Sequence, residues 1–293
     1  MQILSCYNPE LRKLPEPRFE PEIDAARESG FVCHLFGFED FLDGREERAL
    51  QFLPRADGET LLYRGWMFKE AEYRRLESAL ADRGYELFTP PDAYAEAHYL
   101  PNYYPLISGL TPPAAWTEGA DLGEAWRAAR SLGDGPWIVK DHVKSAKQRW
   151  DTACFIPRWA DRAAFEQVCV NLLRYQGERF ERGFVFKSFV PLERIGESPF
   201  GYPLSEEYRL FFFRGRLLSG APYDREGGSE TDFDRFEEIA DRFRSGFLTM
   251  DVARAADGGW LILEVGDGGV SLLPPRVEPE EFYRALKNRC GGC

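Results

Sequence analysis

The sequence predicts an α/β N-terminal part followed by an α+β C-terminal part. Near the N-terminus, apolar runs of strand length alternate with helical patterns, which is typical of a small parallel sheet. Further along, two pairs of apolar runs lie close together in the chain, which is typical of hairpins. The 293 residues are 44% hydrophobic and 15% aromatic, so the chain can bury a large core and is not disordered.

The N-terminal elements form a predicted domain of residues 1–105. Its elements are strands at 31–36, 61–63 and 85–88 and helices at 69–83 and 92–98, with acidic, turn-rich connections. Leu76 and Leu80 lie on the apolar stripe of the first helix, which Gly84 ends. The proline-rich stretch 101–117 predicts a crossing linker.

Residues 106–293 form the second predicted domain. Its predicted elements are helices at 122–132 and 161–176, strands at 137–140 and 184–190, and hairpins at 206–219 and 247–265. In the last hairpin, Asp257 and Gly258 are a preferred pair for a two-residue type I′ turn, and this register places Asp251 opposite Glu264. Like charges at that separation repel each other, which indicates a bound cation, a shared proton or a different register. Mg²⁺ is the natural candidate, and two solvated carboxylates on an exposed face are the alternative.

Basic residues concentrate in the segment 137–149. Lys140 ends an apolar strand, and Lys144 follows in a lysine-rich loop, an arrangement that suits a polyphosphate. An ordinary basic loop is the alternative. Lys187 interrupts another apolar strand and needs either a partner, a ligand or a path to water. Alternation places Arg209 on one strand face with Phe211, as part of a structural ion pair or a ligand clamp.

Composition excludes several classes of protein. The formal charge of −12 and a pI near 5.0 argue against a protein that coats nucleic acid. The sequence has no run of 18 apolar residues, so it does not predict a membrane span, and it has no leader pattern, so it does not predict export. We therefore expect a cytoplasmic protein. Walker-A and G-x-G-x-x-G motifs are absent from the sequence. Cys290 and Cys293 have metal-like spacing, but one pair supplies only two of four zinc ligands.

Taken in order, these features resemble the ATP-grasp enzymes, and more closely a bacterial and phage-associated ATP-grasp clade marked by an arginine and two lysines. The motifs that carry this resemblance are Gly135–Lys140, Phe186–Val190 with Glu193, Tyr63–Trp66, Lys140–Ser145, Glu206–Arg209, Asp251 and Leu263–Gly268. The resemblance implies a pre-ATP-grasp α/β domain and an ATP-grasp domain whose two subdomains clasp a nucleotide.

The resemblance also implies a role for each site residue. Lys140 and Lys187 would contact the nucleotide phosphates, backbone groups of Phe189 and Val190 would bind adenine, and Glu193 would bind the ribose. Asp251 and Glu264 would bind Mg²⁺. Arg209 would stabilise the transferring phosphoryl group, and Arg64 would contact the acceptor substrate. Lys144 is expected to act with the two arginines. Two departures from the family pattern stand out. Gly266 replaces the usual asparagine, so either Asp267 takes its place or one metal ligand is missing. The glycine-rich lid is absent, so the lysine-rich loop 144–149 would have to serve in its place.

The implied function is that of an ATP-dependent carboxylate–amine ligase that uses ATP and Mg²⁺ and passes through an acyl phosphate. Its substrates would be a small-molecule or peptide carboxylate and an amine, with no nucleic acid or membrane partner. The alternative is a non-catalytic nucleotide-binding factor that assists the assembly of a protein partner, with which Gly266 is compatible.

Overall fold

The computed structural model describes residues 1–197, 203–222 and 232–291 of the chain. Its strands are β1 (Gln2–Cys6), β2 (Cys33–Phe36), β3 (Glu59–Arg64), β4 (Tyr85–Leu87), β5 (Ala114–Trp116), β6 (Trp137–Asp141), β7 (Phe155–Ile156), β8 (Phe184–Ser188), β9 (Arg194–Glu197), β10 (Pro203–Ser205), β11 (Glu207–Phe213), β12 (Arg216–Pro222), β13 (Phe247–Arg254) and β14 (Trp260–Asp267). Its α-helices are α1 (Glu20–Glu28), α2 (Phe38–Leu42), α3 (Glu46–Ala49), α4 (Glu70–Ala81), α5 (Pro91–His98), α6 (Leu100–Ile107), α7 (Leu122–Arg130), α8 (Arg162–Gln176), α9 (Glu237–Ala240) and α10 (Pro279–Gly291). Cys293 lies outside the described residues.

Within the described residues, three four-stranded sheets organise the fold. The first sheet is parallel, in the order β2-β1-β3-β4, and its predicted strands and helices at 31–36, 61–63, 69–83, 85–88 and 92–98 are confirmed. The second sheet (β5-β8-β6-β7) and the third sheet (β12-β11-β13-β14) are antiparallel, and β9 pairs with β10. No helix among these described residues is long and apolar enough to cross a membrane.

Two predictions for the N-terminal half are wrong, and two further elements were not predicted. The strand β1, at an inner position of the first sheet, and helix α1 were not predicted, whereas α2 and α3 lie where a turn-rich connection was predicted. The stretch 101–117 is not a linker but contains α6 and β5. Pro101 falls in the first turn of α6, where a missing N–H costs little, and Leu100 and Ile107 bury their side chains beside the third sheet. Tertiary packing therefore outweighs the prolines.

The predicted division into residues 1–105 and 106–293 stays a prediction. Its boundary falls inside α6, and the C-terminal helix α10 packs against α1 near the N-terminus. One core cluster also combines Ile3 and Ile23 of the N-terminal part with Phe211 and Phe282.

The turn of the last hairpin differs from the predicted two-residue turn. Ala255 N–H donates to the Gly259 carbonyl at 2.7 Å, which leaves a three-residue loop with Gly258 at φ +90°. The longer loop shifts the register by one residue, and a bulge that leaves Leu263 unpaired shifts it back. Asp251 therefore does lie opposite Glu264, as predicted, although the predicted turn was wrong.

A buried arginine ties the end of β3 to the C-terminal segment. Arg64 is fully buried and donates Nε and Nη2 to the Glu22 carboxylate, which also accepts the Tyr283 hydroxyl at 3.0 Å. Its Nη1 donates to the backbone carbonyls of Gly268 and Ser271. This contact network fixes the loop that follows β14 against the first sheet.

We expect Arg64→Met to lower the free energy of unfolding by about 3–5 kcal/mol, because Glu22 would remain buried without its cation. Urea-induced unfolding measures this loss. The matched control is Arg162→Met, which breaks the exposed pair with Glu166 on α8 and should cost only about 0.2–0.5 kcal/mol. Equal effects of the two substitutions would contradict a structural role for the buried pair.

Candidate active site

The candidate site is a cleft where lysines of the second sheet reach the third sheet. Lys140 Nζ lies 2.5 Å from Glu264 Oε1. Lys187 Nζ donates to the Leu263 carbonyl at 2.7 Å and to Thr111 Oγ1 at 3.0 Å. Both lysines are largely buried, and burying an ammonium group without partners is costly in free energy. These contacts supply the partners.

Strand alternation explains why the two lysines share a face. Ile138 pairs with Lys187, and Lys140 pairs with Val185, so both lysines project from one side of the second sheet. The residues between them, such as Val139 and Phe186, pack on the other side against α7 and α8. The apolar strands thus position two cations at one surface.

The third sheet supplies an arginine and two carboxylates. Arg209 lies opposite Asp251 in the β11–β13 register, and its Nε and Nη2 each donate to one carboxylate oxygen at 2.8 Å. Glu264 on β14 lies on the other side of Asp251. Each carboxylate therefore has a cation beside it, which offsets the repulsion expected between them.

The bulge on β14 contributes directly to this geometry. Leu263 has no partner residue on β13, and its carbonyl accepts the Lys187 ammonium. The Ile262 N–H donates to the Leu110 carbonyl, which brings the neighbouring Thr111 hydroxyl to the same ammonium. An irregular edge strand thus creates the acceptors that a buried lysine requires.

Burial and neighbouring charges shift two of these groups. Burial, with a contribution from Lys140, lowers the pKa of Lys187 to about 7. Burial would raise the pKa of Glu264, but the Lys140 and Lys144 ammonium groups overcome it and lower that pKa to about 2. Glu264 is therefore a carboxylate at neutral pH, whereas Lys187 is only partly charged.

A short turn after β6 places Lys144 at the cleft. The fully buried Asp141 accepts the backbone N–H groups of Val143 at 2.6 Å and Lys144 at 2.5 Å. Val143 and Lys144 line the cleft. Residues 147–149 and 150–154 follow as short 3₁₀ and π turns, and Lys147 contacts Glu207 at 3.4 Å. Asp141 is a structural residue that we did not predict, although an aspartate before such a turn is a recognisable signal.

The predicted adenine and ribose residues follow β8. The Phe189 N–H donates to the Pro136 carbonyl at 3.0 Å, so only its carbonyl remains for a base. Val190 N–H has no hydrogen bond within the described ranges. Glu193 has an exposed side chain, and its N–H donates to the Arg254 carbonyl. Their assignment to adenine and ribose stays a prediction.

Two predicted residues lie elsewhere. Arg64 is committed to the buried network with Glu22 and does not face an acceptor substrate, because its guanidinium is enclosed between β3 and the loop after β14. Asp267 pairs with Leu248, so alternation turns its side chain away from the face that carries Glu264. It does not join the two carboxylates.

Further residues line the cleft that sequence patterns did not indicate. They come from separate parts of the chain, and include Met67, His98, Thr249, Val270 and Ser271. A Cβ on Gly266 would lie 3.1 Å from the hydroxyl oxygens of Thr249 and Ser271, so these side chains crowd the position of the expected asparagine. Isolated apolar and hydroxyl residues give no signal of such a convergence.

The donor set suits Mg²⁺ only if a ligand contributes further oxygens. No group of three or more His, Cys, Asp and Glu side chains in the described ranges could hold a metal ion. Asp251 and Glu264 do offer two carboxylates, and Mg²⁺ is commonly held by one or two carboxylates together with substrate phosphates and water. These residues therefore fit a metal that arrives with a nucleotide.

Comparison with known proteins gives one matching family model and several similar folds. The family model that matches residues 131–286 describes the ATP-grasp domain of the R-2K clade, the clade marked by an arginine and two lysines, family 3. Similar solved structures include a RimK domain protein ATP-grasp from Sphaerobacter thermophilus DSM 20745, with 14% identity, 98% of each chain covered and a TM-score of 0.61. D-cycloserine synthetase DcsG is 18% identical, with 98% of this chain and 99% of that chain covered and a TM-score of 0.61. The ATP-grasp ligase PsnB, complexed with minimal precursor, Mg and ADP, is 14% identical, with 98% of each chain covered and a TM-score of 0.55.

No curated protein sequence is significantly similar to the chain. At these identities the structural similarities show the fold, and they confirm the predicted combination of an α/β part with an ATP-grasp part. Because the family model covers more than half of the 293 residues, the chain belongs to family 3 of the R-2K clade of ATP-grasp domains.

Proposed function

We propose that this protein is an ATP-dependent ligase that joins a carboxylate to an amine through an acyl phosphate. The observation that carries the proposal is the pairing of Lys140 and Lys187 with the strand that holds Glu264, across a cleft between two sheets. Nucleotide phosphates would take over the lysine contacts, and the released carboxylate would become available to a cation.

The charged residues of the cleft and the segment after β8 then have roles in binding. Lys140 and Lys187 would bind phosphate oxygens, while backbone groups of Phe189 and Val190 would contact adenine and Glu193 the ribose. Asp251 and Glu264 would hold Mg²⁺, which would neutralise charge on the transferring phosphoryl group. Asp267, which the geometry separates from these two carboxylates, has no part in this metal site.

The proposed chemistry needs positioned charges rather than a covalent enzyme intermediate. A substrate carboxylate oxygen attacks the γ-phosphorus of ATP and ADP leaves. The amine nitrogen then attacks the acyl carbon, phosphate leaves with the bonding electron pair, and the nitrogen loses a proton. Arg209 and Lys144, which line the cleft, would offset the negative charge that develops on the phosphoryl oxygens.

The similar structures support a range of substrates. One is named a D-cycloserine synthetase, and another is a ligase complexed with a minimal precursor, Mg and ADP. These names concern those proteins, but they agree with a carboxylate and an amine carried by small molecules or peptides. We keep the cytoplasm as the proposed compartment.

A non-catalytic nucleotide-binding factor is the second candidate. The observation that favours it is Gly266, whose surroundings leave little room for the side chain of a third metal ligand. Such a factor would bind nucleotide and a protein partner without turnover.

Mg-ATP at about 100 times its Kd should stabilise the wild-type protein by about 2.7 kcal/mol in thermal unfolding. Asp251→Asn/Glu264→Gln should lose most of this stabilisation, because both proposed metal ligands are neutralised. Asp257→Asn is the matched control, since it removes one charge in the exposed turn of the same hairpin and should retain the full shift. An equal shift in the double variant would remove the carboxylates from the nucleotide site.

Nucleotide binding should take up close to one proton at pH 8. Burial lowers the pKa of Lys187 to about 7, so its amine is mostly neutral at pH 8, whereas phosphate contact requires the ammonium form. Calorimetric titration with Mg-ATP in two buffers of different ionisation enthalpy measures the uptake.

Lys187→Met should abolish this proton uptake, whereas the exposed Lys287→Met should leave it unchanged. Uptake that persists in Lys187→Met would mean that another group is responsible.

The lowered pKa of Lys187 also has a consequence for the stability of the unliganded protein. Between about pH 7 and pH 10 the unfolded chain binds more protons at this position than the folded chain, so the contribution of Lys187 makes stability rise with pH.

Turnover distinguishes the two candidate functions. We expect ADP release from Mg-ATP when a panel of amino acids and short peptides is supplied, and formation of a hydroxamate when hydroxylamine is added to trap an acyl phosphate. Arg209→Met should reduce both signals by about tenfold or more, because it removes a cation beside the reacting phosphoryl group. Tight Mg-ATP binding without ADP release across the panel would instead favour the binding factor.

A further inference from the structure

A cavity outside the cleft lies where the beginning of α4 meets the segment that precedes β8. Its volume is about 340 Å³, a size that suits a small molecule. Among the described residues, none lines both this cavity and the cleft. Met67 and Val143 of the cleft pack against Tyr99 of the cavity, so a layer of side chains separates the two. The cavity is therefore a separate site.

Contacts across the cavity hold its walls in place. The guanidinium carbon of Arg182 lies 3.6 Å from the centre of the Tyr99 ring, and the same guanidinium pairs with Glu70. The Tyr99 hydroxyl accepts the Glu70 N–H at 3.1 Å. On the opposite side, the Glu181 N–H donates to Asp141 Oδ2 at 3.2 Å. The polar groups of this cavity are thus positioned before any ligand binds.

The two arginines of the cavity already have carboxylate partners. Arg74 pairs with Glu70 Oε1 at 2.7 Å and with Asp92 at 2.6 Å. Arg182 pairs with the other oxygen of Glu70. Two guanidinium groups and two carboxylates balance each other, so these four side chains favour neither an anionic nor a cationic ligand.

Lys69 and Glu181 are the remaining charged groups of the lining. Lys69 Nζ donates to the backbone carbonyl of Glu178 at 3.0 Å and pairs with no carboxylate among the described residues. The half-buried Glu181 carboxylate has neither a hydrogen bond nor an ion pair within those residues. Burial raises the pKa of Glu181, and the Lys69 ammonium opposes this rise more than any other group does. The two charges therefore line one cavity and influence each other without forming an ion pair.

A ligand that carries both charges can bridge this pair. Its carboxylate would contact the Lys69 ammonium, and its ammonium group would donate to the Glu181 carboxylate. A ligand with only one of these charges would leave the other side chain without a partner, which costs binding free energy. Because the charges of the lining sum to zero, a ligand without net charge also suits the site as a whole.

We propose that this cavity binds a free amino acid in its zwitterionic form, with the carboxylate on Lys69 and the ammonium group on Glu181. The inference does not rest on the proposed ligase function, since the cavity and the cleft have separate linings.

The first experiment titrates the wild-type protein calorimetrically at pH 7 with each of the twenty common amino acids. β-Alanine and 4-aminobutyrate, whose two charges lie further apart, are titrated as well. At least one compound should bind. Its amide, which lacks the carboxylate, and its hydroxy acid, which lacks the ammonium group, should each bind about tenfold or more weakly. Absence of binding by every compound overturns the inference.

Two variants assign the ends of the ligand. Lys69→Met should weaken binding of the amino acid about tenfold or more, and the amino acid and its amide should then bind alike. In Glu181→Gln the amino acid and its hydroxy acid should bind alike. The matched controls are Lys287→Met, whose ammonium also donates to a backbone carbonyl, and Glu178→Gln, which removes an exposed carboxylate close to Glu181 in the chain. Both controls should retain the wild-type affinity.

The same titrations decide where the amino acid binds. A preference for the amino acid over its amide that persists in Lys69→Met would mean that another cation holds the carboxylate, and it would overturn the inference. Amino acid binding should persist in Asp251→Asn/Glu264→Gln and in the presence of saturating Mg-ATP, because the two sites share no lining residue. Loss of binding in either case would place the amino acid in the cleft and would also overturn the inference.

Discussion

A buried ammonium group must have partners, and in this chain that requirement connects two sheets. Lys140 and Lys187 leave the second sheet on one face and find their acceptors on β14 of the third. Because both ammonium groups are largely buried, these contacts are stronger than those of exposed lysines, yet the energy of removing the two ammonium groups from water offsets much of the gain. Phosphate oxygens and a metal ion could therefore replace them at modest cost, which is what a nucleotide site between two sheets requires.

The shape of β14 shows how backbone irregularity and charge placement depend on each other. A three-residue turn displaces the register, and the bulge at Leu263 restores it before Glu264. The same bulge frees the carbonyl that receives Lys187. A regular two-residue hairpin would have placed Asp251 opposite Glu264 as well, but it would have left the lysine without this acceptor. The bulge is therefore part of the site, not a defect beside it.

This distinction also explains how far the sequence could lead. Local patterns were sufficient to predict that Lys140 ends a strand, that Lys187 needs a partner and that Arg209 lies on one strand face, because strand periodicity is local. That these residues meet at one site was implied only by the resemblance to a family. The long-range contacts were not predictable. Arg64 follows a predicted strand just as Lys140 ends one, and only the fold reveals that Glu22 and two carbonyls enclose it.

The prediction of a linker from the prolines of 101–117 was wrong for the same reason, since burial against a sheet that is distant in sequence decides the conformation of α6. Likewise, β1 was missed because five residues without a clear period carry little signal.

The charge of the cleft is consistent with the identity of its ligand. Although the chain carries a formal charge of −12, four basic side chains (Lys140, Lys144, Lys187 and Arg209) lie beside the two proposed metal ligands, Asp251 and Glu264. With Lys187 charged, these six groups together carry an excess of about two positive charges, and Mg-ATP carries roughly two negative charges. A basic cleft in an acidic protein attracts such an anion while the rest of the surface repels it.

Because Lys187 is only partly charged when no ligand is bound, the excess becomes complete on binding, when the phosphates draw a proton to the buried amine. The lowered pKa of Lys187 thus limits the repulsion among the cations of the cleft when no ligand is bound. This pKa rises when the anion binds.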